Sequence, residues 1–159
     1  MTELYRVSNW GLNLSRKAKE LKHERARFLV ITNESTAPLS TRQSSAEIIA
    51  FSHFRYELDD DEQPKYPVLY VYELQVKQEF QRHGLGKKLM TLMELMALRN
   101  AMAYVMLTVF KHNTIATTFY LNKMRYSIAD QSPSKCATDE EETESVDYEI
   151  LWKLVSKKK

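Results

Sequence analysis

Apolar residues change period several times along the chain, and each change marks an element. Leu14, Ala18 and Leu21 recur at spacings of four and three among basic residues, which predicts a helix over 14–26 with a thin apolar stripe. Arg27–Thr32 then reads as a first strand. The polar stretch from Asn33 to Ser45, with its Asn, Ser, Thr and Pro content, predicts a loop. Ile48–Leu58 is a second strand, Asp59–Pro67 has the Asp and Pro of a turn, and Val68–Val76 is the third and most apolar strand. Leu85, Leu89, Leu92, Met93 and Met96 follow at four, three, one and three, on one face of a helix. Ala103–Val109 is a fourth strand, and Asn113–Lys123 a helix with Asn113 as its N-cap. Tyr126–Ala129 and Asp147–Val155 are a closing pair of strands across an acidic loop. The opening, Tyr5–Trp10, is too short and irregular to assign. Strands clustered early and alternating with helices late predict an α/β fold, a mixed sheet with helices on both faces. No repeat and no boundary appears, so residues 1–159 are expected to form a single domain.

Composition narrows this only a little. With 43% hydrophobic and 28% charged residues the chain reads as an ordinary soluble globular protein. Its longest apolar runs, Val68–Tyr72 and Ala103–Phe110, are too short to span a bilayer. The opening has no charged, apolar and cleavage regions of a secretory leader, which argues for an intracellular protein. The single cysteine, Cys136, excludes an intrachain disulfide and a cysteine metal cluster, and four scattered histidines argue against any metal site. The net charge of +2 is unevenly spread. Arg16–Arg27 and the Lys157–Lys159 tail are basic, while Asp59–Glu62 and Asp139–Glu144 are acidic. Such runs are usually solvated faces, although acidic stretches beside a cleft also steer cationic substrates towards it. Composition alone does not choose.

The chemistry concentrates at the glycines. Of three in the chain, Gly84 and Gly86 lie two residues apart between a strand and a helix. Glycine lets backbone approach a ligand closely, and amides near Arg82–Lys87 at a helix start would converge on an anion. Arg82, His83, Lys87 and Lys88 add positive charge. A bare Gly-x-Gly is more often only a tight turn. Here, however, Gln81-Arg82-His83-Gly84-Leu85-Gly86 fits Q/R-x-x-G-x-G/A, and Asn113, Ala116, Phe119 and Tyr120 fit N-x-x-A-x-x-F-Y about thirty residues on. In this order the two resemble the pyrophosphate loop and the following helix of the GNAT acetyltransferases. A Rossmann reading is weaker, since it wants G-x-G-x-x-G and an acidic residue about twenty positions later.

A finer resemblance covers about Tyr5 to Leu151. Trp10 in Ser8–Gly11, the AFSHFR stretch Ala50–Arg55, VLYVYE at Val68–Glu73, VMLTVFKHN at Val105–Asn113 and Tyr148–Leu151 are similar to the NatD family, which acetylates the N-terminal serine of histones 4 and 2A. The resemblance implies a GNAT fold with a central, mostly antiparallel mixed sheet, and acetyl-CoA as cosubstrate with no metal. It also implies histone tails as partners, no direct nucleic-acid or membrane binding, a monomer, and residence in cytoplasm and nucleus. Glu73 would be the base, directly or through water, for direct attack by the substrate amine. Tyr72 would lie near that amine, and Tyr120 would protonate the leaving thiolate. Leu74, Gln75 and Val76 would present backbone to the pantetheine, Arg82, His83, Gly84, Leu85, Gly86 and Lys87 would hold the pyrophosphate, and Asn113 would complete the cofactor site. Tyr5, Trp10, Glu57, Leu58, Asp59, Tyr72, Thr108 and Tyr148 would contact the tail, with Glu57 and Asp59 pairing the arginine of Ser-Gly-Arg-Gly.

Strict alternation would separate Tyr70 and Tyr72 from Glu73, so the resemblance also requires a β-bulge in this strand. The chain departs from the family by beginning almost at the first matched residue, where NatD enzymes carry a longer N-terminal segment with a helix, and by a longer 33–47 loop. It therefore reads as trimmed or as a shorter member. Two other readings are a GNAT enzyme acting on lysine or a small amine, and a non-catalytic acetyl-CoA-binding module that recognises a basic tail.

Overall fold

The computed structural model describes residues 13–33, 46–59, 65–136 and 146–155. Its elements are α1 (Leu14–Leu21), β1 (Arg27–Asn33), β2 (Glu47–Leu58), β3 (Pro67–Val76), α2 (Leu85–Arg99), β4 (Tyr104–Phe110), α3 (Thr114–Thr118), β5 (Ser127–Ile128), α4 (Pro133–Cys136) and β6 (Tyr148–Leu154). A short 3-10 turn at Gln78–Phe80 precedes α2, and α3 runs on into a wider π turn over Phe119–Lys123. The six strands form one sheet in the order β1-β2-β3-β4-β6-β5. Every neighbouring pair is antiparallel except β3 and β4, which run parallel. This is the mostly antiparallel mixed sheet that the family resemblance implies.

Core formation explains most of the boundaries. Val68, Leu69 and Val71 on β3 are almost fully buried, because a central strand covered on both faces has no solvent side. One face meets α2 and α3 through Phe54, Leu69, Met90, Met93, Leu107 and Tyr120. The other face lies against α1, which is held by polar ties rather than by its stripe. Arg55 Nη2 donates to the carbonyl of Glu20 at 2.6 Å, and Lys17 Nζ lies 2.9 Å from Glu73 Oε2.

Three expectations are corrected here. The first helix ends at Leu21, not Ala26, since its stripe finds no core: Leu14 is 71% exposed and no residue of α1 is buried. The chain instead turns through His23 and Ala26 into β1. In α2 the buried face is Leu89, Met90, Met93 and Ala97, whereas Leu92 points to solvent. The spacing that selected Leu92 beside Met93 could not decide between adjacent apolar positions. The fifth strand keeps only two residues, Ser127–Ile128, and the short helix α4 was not anticipated. Tyr5–Trp10, the acidic 139–144 stretch and the Lys157–Lys159 tail lie outside the described residues.

One irregularity places the site. In the β2–β3 register Arg55 pairs with Tyr70 and Phe54 with Val71, but His53 pairs with Glu73, so Tyr72 is the extra residue of a bulge. Paired residues share a face, and His53 and Arg55 are two apart on one strand. Tyr70 and Glu73 therefore emerge on the same side. Tyr72 joins them there, its ring stacked on His53 with centroids 5.1 Å apart. The required break of parity is present.

Candidate active site

A cleft of about 850 Å³ runs between the start of α2 and α3, within the size range of pockets that enclose ligands. Leu74 and Val76 of β3, Arg82, Gly84, Leu85, Gly86 and Lys87 of the glycine loop, and Asn113, Ala116, Phe119, Tyr120 and Lys123 of the α3 segment line it. Gly84 caps α2 in the left-handed region at φ 79°, which a side chain would strain. The first main-chain bond of α2 runs from Lys88 N to Gly84 O at 2.9 Å, which leaves the preceding amides at the positive end of the helix dipole. A Cβ on Gly86 would make only ordinary contacts, 3.6 Å to Phe119 and 3.9 Å to Leu74, so protein packing does not demand glycine there. Branching beyond Cβ would instead fill the cleft. Arg82, Lys87 and Lys123 supply cations, so amides, cations and an open glycine surface all fit a pyrophosphate.

The loop is anchored by Gln81 Nε2, which donates to Val76 O at 3.1 Å. Asn113 caps α3 by accepting from Ala116 N at 3.2 Å, and it lines the cleft as well. Two expected cofactor residues turn elsewhere. His83 sits with Nδ1 2.8 Å from the Gln81 carbonyl and does not line the cleft, and the Gln75 side chain donates to Glu73 Oε1. Any part for Gln75 in the cofactor site would be played by its backbone.

A second cavity of about 270 Å³ opens where β3 and β4 part. Their pairing stops at Val71–Leu107 although both strands continue, to Val76 and Phe110. Tyr70, Tyr72, Glu73 and Leu74 form one wall of the gap, Thr108, Val109 and Phe110 the other, and Arg16, Lys17 and Glu20 of α1 close it over. Leu74, Asn113, Ala116 and Tyr120 line both cavities, so the two meet there. A chain laid along the larger cleft would end beside Tyr120 and face Glu73 across the gap.

Buried polar groups crowd the smaller cavity. Tyr72 Oη donates to Glu57 Oε2 at 2.7 Å, and the Arg55 guanidinium lies 4.3 Å from the Tyr72 ring centre, a cation–π contact. Tyr70 Oη and Thr108 Oγ1 are hydrogen-bonded. Glu73 is buried and receives Lys17 and Gln75. Burial, then the bond to Glu57, raises the Tyr72 hydroxyl above its usual range. Burial alone raises Tyr120, and burial outweighs the Thr108 bond in raising Tyr70. These hydroxyls stay protonated at neutral pH, as a proton donor must. His53, fully buried between the rings of Phe28 and Tyr72, is lowered, first by burial and then by Arg55.

The structure brings Tyr72, Glu73, Thr108 and Tyr120 around the gap, holds Glu57 to it through Tyr72, and pairs Tyr148 with the cavity residue Phe110. It does not bring Leu58 or Asp59 there. Leu58 is exposed at the far end of β2, opposite Pro67, and Asp59 Oδ1 accepts from the amides of Lys65 and Tyr66 at 2.8 and 2.9 Å to close the following turn. A short acidic side chain after a strand is as much a turn cap as a substrate contact, and here the cap prevails. Tyr5 and Trp10 lie outside the described residues. Lys17, Glu20, His53 and Arg55 were not singled out. The two polar residues at alternate positions in AFSHFR were a readable signal of a polar strand face, whereas Lys17 and Glu20 were lost among the charges of α1.

A glycine loop at a helix start, joined to a gap between parting parallel strands, is an arrangement that fits a CoA-dependent acyl-transfer site. Residues 5–124 match the acetyltransferase (GNAT) family, and the chain belongs to it. Acetyl-CoA is the cosubstrate of that family. Among solved structures, Arabidopsis thaliana NAA60 with a bisubstrate analogue is 13% identical with a TM-score of 0.64, over 96% of this chain and 89% of that one. The PaiA N-acetyltransferase of Thermoplasma acidophilum in complex with coenzyme A is 17% identical with a TM-score of 0.56, over 89% and 68%. Nourseothricin acetyltransferase is 16% identical with a TM-score of 0.58 over 83% of this chain, which spans 66% of its length. At these identities the likeness is one of fold.

Proposed function

We propose that this protein is an N-α-acetyltransferase that moves the acetyl group of acetyl-CoA to the N-terminal serine of Ser-Gly-Arg-Gly tails, as in histones 4 and 2A. The observation that carries the catalytic part is the bulge at Tyr72, which sets Tyr72 and Glu73 on one face in the wall of the small cavity, next to Leu74, which lines both cavities. Glu73 takes the amine proton, the nitrogen attacks the thioester carbonyl, and the C–S bond breaks. Tyr120, protonated and lining both cavities, is placed to protonate the departing sulfur. An α-amine has a reference pKa of about 7.7–8.0 against about 10.4 for lysine, so a carboxylate suffices to strip it. Hydroxyls and the carboxylates of Glu20 and Glu73 lining the small cavity, with Glu57 behind Tyr72, suit a cationic tail with a small first residue. The serine-tail specificity is supported by the sequence resemblance to NatD enzymes, and with it the reading of a monomer in cytoplasm and nucleus.

Replacing the third-position arginine of a tail peptide by alanine tests the specificity. Loss of a partner from a desolvated charge pair costs about 2–5 kcal/mol. The Michaelis constant should therefore rise at least tenfold for the alanine peptide. Added salt should weaken the arginine peptide more than its alanine counterpart. Equal constants for the two peptides would leave acetyl transfer intact and refute recognition of the tail.

A further inference from the structure

We propose that Lys17 is a self-acetylation site, modified in cis by the same active centre; this rests on Glu73 serving acetyl transfer as proposed above. Lys17 Nζ lies 2.9 Å from Glu73 Oε2 and 2.6 Å from Glu20 Oε1. Its side chain is 19% exposed and, like Tyr72 and Tyr120, forms part of the lining of the small cavity. A primary amine of this chain thus already occupies the carboxylate that a substrate amine would use, in the small cavity that opens into the larger cleft.

The chemistry closes without a further reagent. Glu73 accepts a proton from the Lys17 ammonium, and Nζ attacks the acetyl carbonyl carbon of acetyl-CoA. The new C–N bond forms as C–S breaks, the thiolate takes a proton, and CoA leaves with Nε-acetyl-lysine as the other product. At neutral pH a lysine is deprotonated about 10²–10³ times less than an α-amine, by their reference pKa values. Tethering offsets this deficit, since well-oriented intramolecular reactions reach effective molarities of about 10⁵–10⁸ M. Uncatalysed acetylation by the thioester would choose differently: it would favour exposed Lys87, Lys88 and Lys123 over mostly covered Lys17.

The test incubates the full chain with acetyl-CoA, without peptide, and maps acetyl-lysines over time by mass spectrometry at two protein concentrations tenfold apart. Acetylation of a tail peptide is measured in parallel. Lys17 should be modified ahead of the exposed lysines, at a rate independent of protein concentration. Excess desulfo-CoA, which competes for the cleft but carries no thiol, should suppress Lys17 acetylation and spare the exposed lysines. Glu73→Gln should slow the Lys17 reaction about 100-fold or more. The desulfo-CoA arm keeps the test decisive if that variant misfolds. Peptide acetylation without Lys17 modification, a rate that scales with protein concentration, or Lys17 trailing the exposed lysines would each overturn self-acetylation and leave the functional reading standing. Failure of both peptide and Lys17 to react would overturn the functional reading as well.

Discussion

Tyr72 Oη donates to Glu57 Oε2 at 2.7 Å from the extra position of the β3 bulge, with the Arg55 guanidinium 4.3 Å from its ring centre. A residue shifted out of pairing is thereby fixed from two sides, and its hydroxyl is kept protonated by burial and by that bond. Tyr72→Phe removes a hydrogen bond to a carboxylate, worth about 1.5–3 kcal/mol. The expected loss in kcat/KM for a tail peptide is therefore about tenfold to a hundredfold, by the usual conversion of 1.4 kcal/mol per decade. CoA affinity, measured by calorimetry, should not change. The alkaline limb of the pH–rate profile should also stay in place, because this hydroxyl does not titrate in the working range.

Glu73→Gln keeps the shape of the side chain and removes its basicity. Turnover should fall about 10²–10⁴-fold, the usual range for a general base, while peptide affinity changes far less. Rapid-quench kinetics with saturating acetyl-CoA separates the two effects. An unchanged chemical step would assign Glu73 to structure alone.

The register of α2 is tested by adjacent residues. Met93 is fully buried and Leu92 is 40% exposed. Met93→Ala should cost about 2–5 kcal/mol of stability, and Leu92→Ala should stay within about 1 kcal/mol, read from urea denaturation. Comparable losses at both positions would contradict this packing.

That pair also shows where the sequence was and was not legible. Strand and helix order followed from periodicity, and the walls of the larger cleft from Gln81–Gly86 together with Asn113–Tyr120, because backbone geometry ties those residue types to a local turn and cap. Which of two adjacent leucine and methionine positions faced inward depended on the sheet beneath. The first helix is shorter than its sequence suggests because its stripe meets no core and its end is held by Arg55, more than thirty residues away. Lys17 and Glu20 were hidden for the same reason. The bulge was inferable only through family resemblance, since strand alternation alone argues against it. Asp59 carried a signal that served a turn instead of a substrate.

His53 gives the protein an acid-sensitive element. Its pKa is lowered in the folded state, by burial and Arg55, with Lys17 acting the same way and Glu20 and Glu73 opposing. Above the unfolded value of about 6.5 both states are neutral and the folded state keeps its full advantage. As pH falls through that value, the unfolded chain takes up a proton that buried His53 refuses, so stability declines until the folded pKa is passed. Thermal midpoints should therefore drop between about pH 7.5 and 5.5, and a His53→Leu variant should lose the part of that slope due to this ring. Identical slopes would show that other groups govern the decline.

The glycine loop separates folding from cofactor binding. Gly84→Ala, at φ 79°, should destabilise the fold by about 1–2 kcal/mol through backbone strain. Gly86→Val adds branches beyond a Cβ that already lies 3.6 Å from Phe119, and should abolish detectable CoA binding while circular dichroism remains native. Full CoA affinity in a folded Gly86→Val protein would place the pyrophosphate elsewhere.

The position of the transferred acetyl group separates an N-α-acetyltransferase from a lysine acetyltransferase. Two peptides beginning Ser-Gly-Arg-Gly and containing lysines, one with a free N-terminus and one blocked by acetylation, are incubated with the protein and acetyl-CoA and sequenced by tandem mass spectrometry. A single added acetyl is expected on the serine α-amine of the free peptide, with no enzyme-dependent gain on the blocked one. Efficient acetylation of lysines in the blocked peptide would contradict this expectation and make the protein a lysine acetyltransferase of the same fold.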